Sequence, residues 1–238
     1  MLVIAVHGSA VPAAARTVER LVAAVEALSG VRPLVGHLDA QRPALAEVVA
    51  AHPGAVVVPL LLGDGYHRTV DIPAVLAGTG CTLTPGLSGE PDVTLALYGR
   101  LRDAERRAGA LARADAVVVA GAGSSRPGGN DGTLAAAAGL AALLECDRGP
   151  TPVVPAYLTS AEPGVGAALA GLRAAGHDRI AIAAHLLADG RFTRSLAAAG
   201  AWTVTEPLAG HPRLARLVLR RYEAARAGGS PRAARLAC

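Results

Sequence analysis

Lysine and aromatic side chains are the residues that this 238-residue sequence lacks most. All of its 23 basic residues are arginine, and Phe, Trp and Tyr together make up 3% of the chain. Because there is neither a Walker lysine nor a G-x-G-x-x-G loop, we expect no nucleotide cofactor. Because stacking aromatics and a basic helix are also missing, we do not expect nucleic acid as a partner, although the net charge is +4. The arginine excess reflects either compositional bias or a surface that attracts another polyanion.

Cysteines and long apolar runs are scarce as well. Cys81, Cys146 and Cys238 form no C-x-x-C pair, and their odd number indicates reduced thiols rather than a zinc site or a disulfide framework. No apolar stretch approaches the roughly 18 residues of a membrane span, and residues 1–9 (MLVIAVHGS) lack the basic start of a signal peptide. We therefore expect a cytoplasmic protein that does not act at a membrane.

Short apolar runs alternate with helical patterns along the chain. Residues 2–6 (LVIAV) predict a buried strand that ends at His7, and residues 15–28 have the apolar spacing of a helix. The alternation predicts an α/β protein in which each half is a parallel sheet flanked by helices. Further strands are predicted at 32–38, 54–62, 81–84, in AVVVAGAGSS after Asp115 (a strand that runs into a loop), at 152–158, 179–186 and from 201. Further helices are predicted at 43–51, from Pro73, at 91–112, 130–144 and 163–175, and up to 226. Residues 63–69 and 187–194 are predicted to be loops.

The chain carries one structural unit twice. Four segments of the first half match four of the second: HGSAVP matches GSSRP, LDAQRP matches LTSAEP, LLLGDG matches HLLADG, and GLSGEP matches PLAGHP. The repeat predicts two similar domains, residues 1–112 and 113–225, because each half approaches the usual size of a domain. Residues 226–238 lack any periodicity, and we predict a disordered tail there.

Three polar residues occur in only one copy of the repeat. His7, Asp39 and His67 each follow a predicted strand of the first half, whereas the second half has Ala122, Thr159 and Phe192 at the matching places. A requirement of the scaffold would have kept the trio in both copies, so its one-sided presence indicates a function.

The trio has a chemistry of its own once the sheet forms. The carboxyl ends of parallel strands meet at one edge of a sheet, where ligands bind. Two imidazoles and a carboxylate suit a first-row divalent metal, and a neutral histidine can also accept a proton. Taken singly, His7 and His67 could be hydrogen-bonded loop residues, and Asp39 could cap the next helix. His37 lies on the same strand face as Asp39, either lining the pocket or as a buried structural residue.

Four motifs resemble the sirohydrochlorin chelatases, the ATP-independent class II enzymes that insert cobalt or iron during cobalamin or siroheme synthesis. They are HGS after the first strand, a carboxylate (Asp39) separated by three residues from Pro43, PLLLGDGYHRTVDIP at residues 59–73, and GSSRPGGN in the second half. The resemblance extends to about residue 225. It implies two chelatase-like, flavodoxin-like (doubly wound) domains that face each other across a tetrapyrrole cleft.

The resemblance also implies roles for individual residues. His7 and His67 would bind the incoming metal and help to take up the pyrrole N–H protons. Asp39 would be the third ligand or would only orient a histidine, because the family usually has the longer Glu there. The metal would be Co2+ or Fe2+, with Ni2+ an open alternative, and it would be a substrate rather than a resident cofactor. Sirohydrochlorin carries many carboxylates, which predicts substrate contacts from an arginine-rich rim. The residues predicted to contact it are Ser9, Arg68, Arg126, Arg191 and Arg194.

Two other functions stay open from the sequence alone. The protein could be a non-catalytic tetrapyrrole or metal carrier on the same scaffold, as the Asp39 substitution suggests. Alternatively, it could be a two-lobed binding module for another small anion, in which the histidines are incidental. The sequence also leaves open whether the chain is a monomer or a homodimer.

Overall fold

Two parallel four-stranded sheets form the framework of the protein in a computed structural model that describes residues 1–39, 41–109 and 111–228. Each half of the chain contributes one sheet, and the strand orders are β2-β1-β3-β4 and β6-β5-β7-β8. The strands of the first sheet are β1 (Leu2–Val6), β2 (Leu34–His37), β3 (Val56–Pro59) and β4 (Thr82–Leu83). Those of the second are β5 (Ala116–Gly121), β6 (Val153–Tyr157), β7 (Ile180–Ala184) and β8 (Thr203–Val204). The predicted fold class, with two similar parallel sheets, is confirmed.

Helices cover both faces of the sheets, which is why the central strands are buried along their whole length. In the first half they are α1 (Pro12–Ser29), α2 (Leu45–Ala51), a π-helical turn (His67–Asp71), α3 (Ile72–Leu76) and α4 (Pro91–Ala108). In the second half they are α5 (Asp131–Arg148), α6 (Val165–Ala174), α7 (Arg191–Ala197) and α8 (Pro212–Arg226).

Two segments predicted to be loops are partly helical. His67 opens the π-helical turn, whose last N–H bond runs from Ile72 to the carbonyl of His67. Arg191 opens α7, because the hydroxyl of Thr193 accepts a hydrogen bond from the N–H of Gly190 at 2.9 Å and satisfies the start of the helix. The loop predictions for 63–69 and 187–194 are therefore wrong at their C-terminal ends.

The repeat recurs in backbone geometry. Gly8 and Gly123 follow the matching strands β1 and β5 and have φ values of +95° and +92°. A Cβ atom on Gly8 would lie 1.9 Å from the carbonyl oxygen of Asp39, and one on Gly123 would lie 1.7 Å from that of Thr159. Only glycine allows both the positive φ and this close approach. The first and second halves thus turn in the same way at the edge where the candidate site lies.

The two halves exchange their last helices. Helix α4 ends the first half but packs against β7, β8 and α5 of the second half, and α8 ends the second half but packs against β3 and α1 of the first. The fully buried side chains of Leu214, Leu217 and Val218 on α8 belong to the same core cluster as Ile4 and Val58 of the first sheet. One continuous core therefore joins the halves, and a smaller core lies within each half.

An ion-pair network holds α4 and α8 together. Arg221 of α8 is buried and bonds to the Glu90 carboxylate and, at 3.2 Å, to the carbonyl of Gly86. Arg220 bonds to Asp92 at 2.6 Å and to Glu90 at 3.2 Å. Because Arg221 is buried, its partner Glu90 is needed to offset the cost of removing that charge from water.

The cysteines differ from one another. Cys81 is a free thiol, whereas Cys146 is disulfide-bonded. The expectation of reduced thiols is therefore wrong for Cys146, which lies on the exposed side of α5. Among the described helices, none is both long and apolar enough to cross a membrane. Of the predicted tail, Arg226 ends α8, residues 227–228 form a turn, and residues 229–238 lie outside the described part of the chain.

Candidate functional site: a histidine pair at the cleft

The predicted histidines His7 and His67 lie side by side. His7 directly follows β1, and His67 opens the turn that comes after β3, the neighbouring strand in the sheet. The ring centroids are 4.6 Å apart and the ring planes are tilted by 42°. The parallel arrangement of β1 and β3 brings residues 60 positions apart to one sheet edge.

Asp39, the third member of the predicted trio, lies beside His7. Its backbone N–H donates a hydrogen bond to the carbonyl of His7 at 2.9 Å. Partial burial lowers the pKa of His7, the neighbouring His67 lowers it further, and the Asp39 carboxylate raises it. Within the described ranges, no group of three or more His, Cys, Asp or Glu side chains is arranged to hold a metal ion. The geometry is thus a histidine pair, with the Asp39 charge acting on one of its members.

A carboxylate that was not predicted from the sequence orients His67. Asp71, four residues later on the same helical turn, has its Oδ2 atom 2.6 Å from Nδ1 of His67. An ionised carboxylate can only accept here, so Nδ1 carries a proton, and in the neutral ring Nε2 then keeps the lone pair for a metal or a proton. The i, i+4 spacing of His67 and Asp71 was the signal, but it is visible only once this segment is known to be helical.

The histidine pair faces a cleft made of two adjoining cavities. The first, about 480 Å³, is called the histidine cavity here, because His7 and His67 both line it. The second, about 400 Å³, is called the α1–α7 cavity, because it lies between residues of these two helices. His7 and Phe192 line both cavities, so the two are parts of one cleft. The polar second-half residues that line the histidine cavity are Ser124, Asn130, Thr133, Thr159 and His185.

Ser9 and Arg68, two of the predicted substrate contacts, line the cleft but already have partners. The hydroxyl of Ser9 accepts a hydrogen bond from the N–H of Val11 at 3.2 Å in the turn before α1. Arg68 lines the histidine cavity, and its guanidinium is paired with Asp64 one helical turn earlier. A substrate carboxylate would have to share Arg68 with Asp64.

The three predicted second-half arginines are placed differently. The guanidinium of Arg126 lies over the ring of Tyr66, 5.1 Å from its centroid, and so connects the two halves beside the histidine cavity. Arg191 lies over Phe192 at 5.3 Å and lines the α1–α7 cavity. Arg194 is exposed on α7 and lines neither of the two cavities.

A buried histidine of the second half was also missed. His185 directly follows β7, is 3% exposed and lines the histidine cavity. Its Nδ1 atom is 3.1 Å from Oγ1 of Thr133. Burial lowers the pKa of His185 to about 4. The signal in the sequence was the repeat itself, because HLLADG has a histidine where LLLGDG has Leu60.

The low pKa of His185 predicts a loss of stability in acid. In the unfolded chain a histidine becomes protonated near pH 6.5. Between about pH 6.5 and 4 the unfolded state therefore has a proton on this histidine that the folded state lacks. The free energy of unfolding should therefore fall as the pH drops from about 6.5 to 4, by about 3 kcal/mol from this residue alone. Denaturant titrations at pH 7 and pH 4 measure the effect. The fall in the free energy of unfolding between these pH values should be smaller in His185→Gln than in the wild type by about this amount. Equal losses in both proteins would contradict the prediction.

The fold and the site define a class, namely two-lobed α/β proteins with a histidine pair facing the cleft between the lobes. Family comparison is more specific. Residues 1–104 and residues 116–225 match the CbiX family model. The chain belongs to the CbiX family, which confirms the family resemblance found in the sequence.

Solved structures give the same fold. SirB from Bacillus subtilis with Fe3+ is 22% identical, with a TM-score of 0.74 and 94% of each chain covered. The sirohydrochlorin chelatase SirB from Bacillus subtilis subspecies spizizenii, in complex with cobalt, is 19% identical, with a TM-score of 0.71 over 94% of this chain and 93% of that one. CbiX, described as the terminal enzyme of siroheme biosynthesis in denitrifying bacteria, is 20% identical, with a TM-score of 0.69 over 94% and 98%. Comparison with curated proteins returns no match.

Proposed function

We propose that the protein is a sirohydrochlorin chelatase, which inserts Co2+ or Fe2+ into the tetrapyrrole without ATP. The observation that carries the proposal is the His7–His67 pair, 4.6 Å apart and facing the cleft of a CbiX-family chain. The similar structures support it, since two of them contain iron or cobalt and one is described as a sirohydrochlorin chelatase.

Metal insertion needs a site that binds the ion and then releases it. Two imidazoles leave most coordination positions to water and to the ring nitrogens, so the ion can pass to the macrocycle as each imidazole bond is replaced. The reaction releases two pyrrole N–H protons for each metal ion inserted. His7 is kept neutral by its lowered pKa, and His67 keeps its Nε2 lone pair through Asp71, so each can accept a proton once the metal has left.

The second half supplies the opposite wall of the cleft. Phe192 takes the place of His67 in the repeat and offers an apolar surface to a flat ring, because it lines both cavities. Arg68, Arg126 and Arg191 are near enough to the cleft to bind substrate carboxylates, with Ser9 beside them and Arg194 farther out. The division of labour between residues 1–112, which carry the metal site, and residues 113–225, which hold the substrate, is part of the same proposal.

The test is a metallation assay with the purified full-length chain. Sirohydrochlorin and Co2+ or Fe2+ should react faster with the protein than in buffer alone, as followed by the change in the tetrapyrrole absorbance. Binding without acceleration would instead support the carrier function, which the two-ligand geometry and the shorter Asp39 favour as the second candidate. No binding of sirohydrochlorin would contradict both the chelatase and a tetrapyrrole carrier.

Four properties expected from the sequence stay predictions. They are which of Co2+, Fe2+ and Ni2+ is inserted, whether the product enters cobalamin or siroheme synthesis, the cytoplasmic location, and whether the protein is a monomer or a homodimer. The choice of metal depends on availability in the cell as well as on the ligands.

A further inference from the structure

His185 is a buried polar group that the metal-insertion chemistry described above does not use. It is 3% exposed and lines the histidine cavity from the second half, opposite the half that carries His7 and His67. The only side-chain hydrogen bond of His185 in the described structure joins Nδ1 to Oγ1 of Thr133, which is itself 7% exposed. Its backbone N–H donates to the carbonyl of Ala120 at 2.9 Å.

The scaffold does not require a histidine at this place. The first half has Leu60 at the matching position after β3, and Leu60 is 3% exposed, so an apolar side chain fills the equivalent space there. Removing an imidazole from water costs free energy unless both of its nitrogens find partners. A buried histidine at the wall of a cavity, where the repeat accepts leucine, therefore indicates a partner that enters the cavity.

The contact with Thr133 links its hydroxyl to one of the two tautomers of the neutral His185 ring. The described structure offers the buried Thr133 hydroxyl no other hydrogen-bond acceptor than Nδ1 of His185. If the hydroxyl donates to Nδ1, then Nε2 carries the proton of the neutral ring. Because burial lowers the pKa of this side chain to about 4, the ring stays neutral at physiological pH, and in this tautomer Nε2–H is the donor.

We propose that Nε2–H of His185 donates a hydrogen bond to a carboxylate of the tetrapyrrole substrate in the histidine cavity, with Thr133 holding the donating tautomer. The inference rests on the proposed function, since it assigns a residue to the substrate of that same site. An acidic side chain of the substrate is the suitable acceptor, because a bond to an ionised oxygen is stronger than one to a neutral group. His185 would thus add directional binding from the half that lacks the metal-binding histidines.

The test measures binding rather than turnover. Metal-free sirohydrochlorin is titrated into the wild type, His185→Leu and His185→Gln, and the dissociation constants are compared. The leucine variant copies Leu60 and removes the donor, so its affinity should fall by about 10- to 100-fold, the range of a hydrogen bond to a charged group. The glutamine variant places an N–H donor near the position of Nε2 and should recover most of that loss. Thr133→Val should weaken binding to a smaller extent, because the hydroxyl that favours the Nε2–H tautomer is lost but the imidazole ring stays in place.

A matched control is His177→Leu. His177 precedes β7 at the opposite end of the same strand, away from the cleft, so its replacement should leave the affinity unchanged. Thermal unfolding of each variant checks that it is folded. If the wild type does not bind sirohydrochlorin at all, the proposed function fails and this inference with it. If the wild type binds and His185→Leu binds equally well, or His185→Gln binds as weakly as the leucine variant, only this inference is overturned.

Discussion

His7→Ala and His67→Ala should each lower the rate of cobalt insertion into sirohydrochlorin by about 100-fold or more, the usual loss when a positioned acid–base group is removed. Each variant leaves a single imidazole at the site, which cannot hold the ion over the ring as a pair does. The two rings are 4.6 Å apart and belong to one arrangement, so the double variant should lose little more than either single one. Initial rates of tetrapyrrole metallation at fixed Co2+ concentration measure the effect.

The second half of the chain shows that these substitutions are compatible with the fold. Ala122 stands at the place of His7, and its carbonyl accepts the equivalent backbone bond, from Thr159, at the same 2.9 Å. Phe192 stands at the place of His67, so His67→Phe is a second variant of similar size that removes only the nitrogens. Loss of activity with an unchanged unfolding temperature would therefore report on the chemistry and not on folding.

The control lies at the other end of the first sheet. His52 follows α2 and precedes β3, far from the carboxyl ends of the strands, so His52→Ala should keep the wild-type rate. Metallation within twofold of the wild-type rate in both His7→Ala and His67→Ala would exclude the histidine pair as the site of metal transfer. A binding measurement with Co2+ alone adds a second readout, since each variant should lose most of its affinity for the ion.

The two histidines of the site could be predicted from the sequence, because each stands in a recognisable local pattern. His7 comes immediately after the buried run LVIAV, and His67 lies in a family motif, so both were found from the sequence. Their closeness follows from strand order alone. The partner Asp71 was missed, because its contact with His67 depends on a helical turn, and glycine-rich segments give weak local signals for such turns.

His185 and the exchange of α4 and α8 depend on tertiary packing. The repeat shows that His185 stands where the first half has a leucine, but it does not show that the strand before His185 ends at a cavity. The amphipathic pattern of a helix fixes which face is buried, but it does not say which of two similar sheets that face covers. The repeat adds to the ambiguity here, because α4 and α8 are equivalent helices and the matching sheets offer them similar surfaces.

Residues 1–112 expressed alone should fail to form a stable monomer, although the sequence repeat makes this half look like a domain. Without α8, the first sheet loses the helix that covers it beside α1, and α4 loses the second sheet on which it packs. Leu214, Leu217 and Val218 of α8 are each 0% exposed in the full chain. Burial of such side chains contributes about 1.5–3 kcal/mol each, so losing the three removes an amount comparable to the roughly 5–15 kcal/mol that keeps a domain folded.

Far-UV circular dichroism during heating should show one cooperative transition for the full chain and none for the separate half at low concentration. Mixing this half with residues 113–238 should restore the transition, because α4 and α8 then find the sheets that they cover in the intact chain. The separate half could also self-associate. The sheet left uncovered by the loss of α8 would then be covered by α4 of a second copy, because α4 and α8 are equivalent helices in the repeat. The prediction would be contradicted if the separate first half melted cooperatively while light scattering gave the mass of a monomer. In that case the core of the first half would be complete without α8.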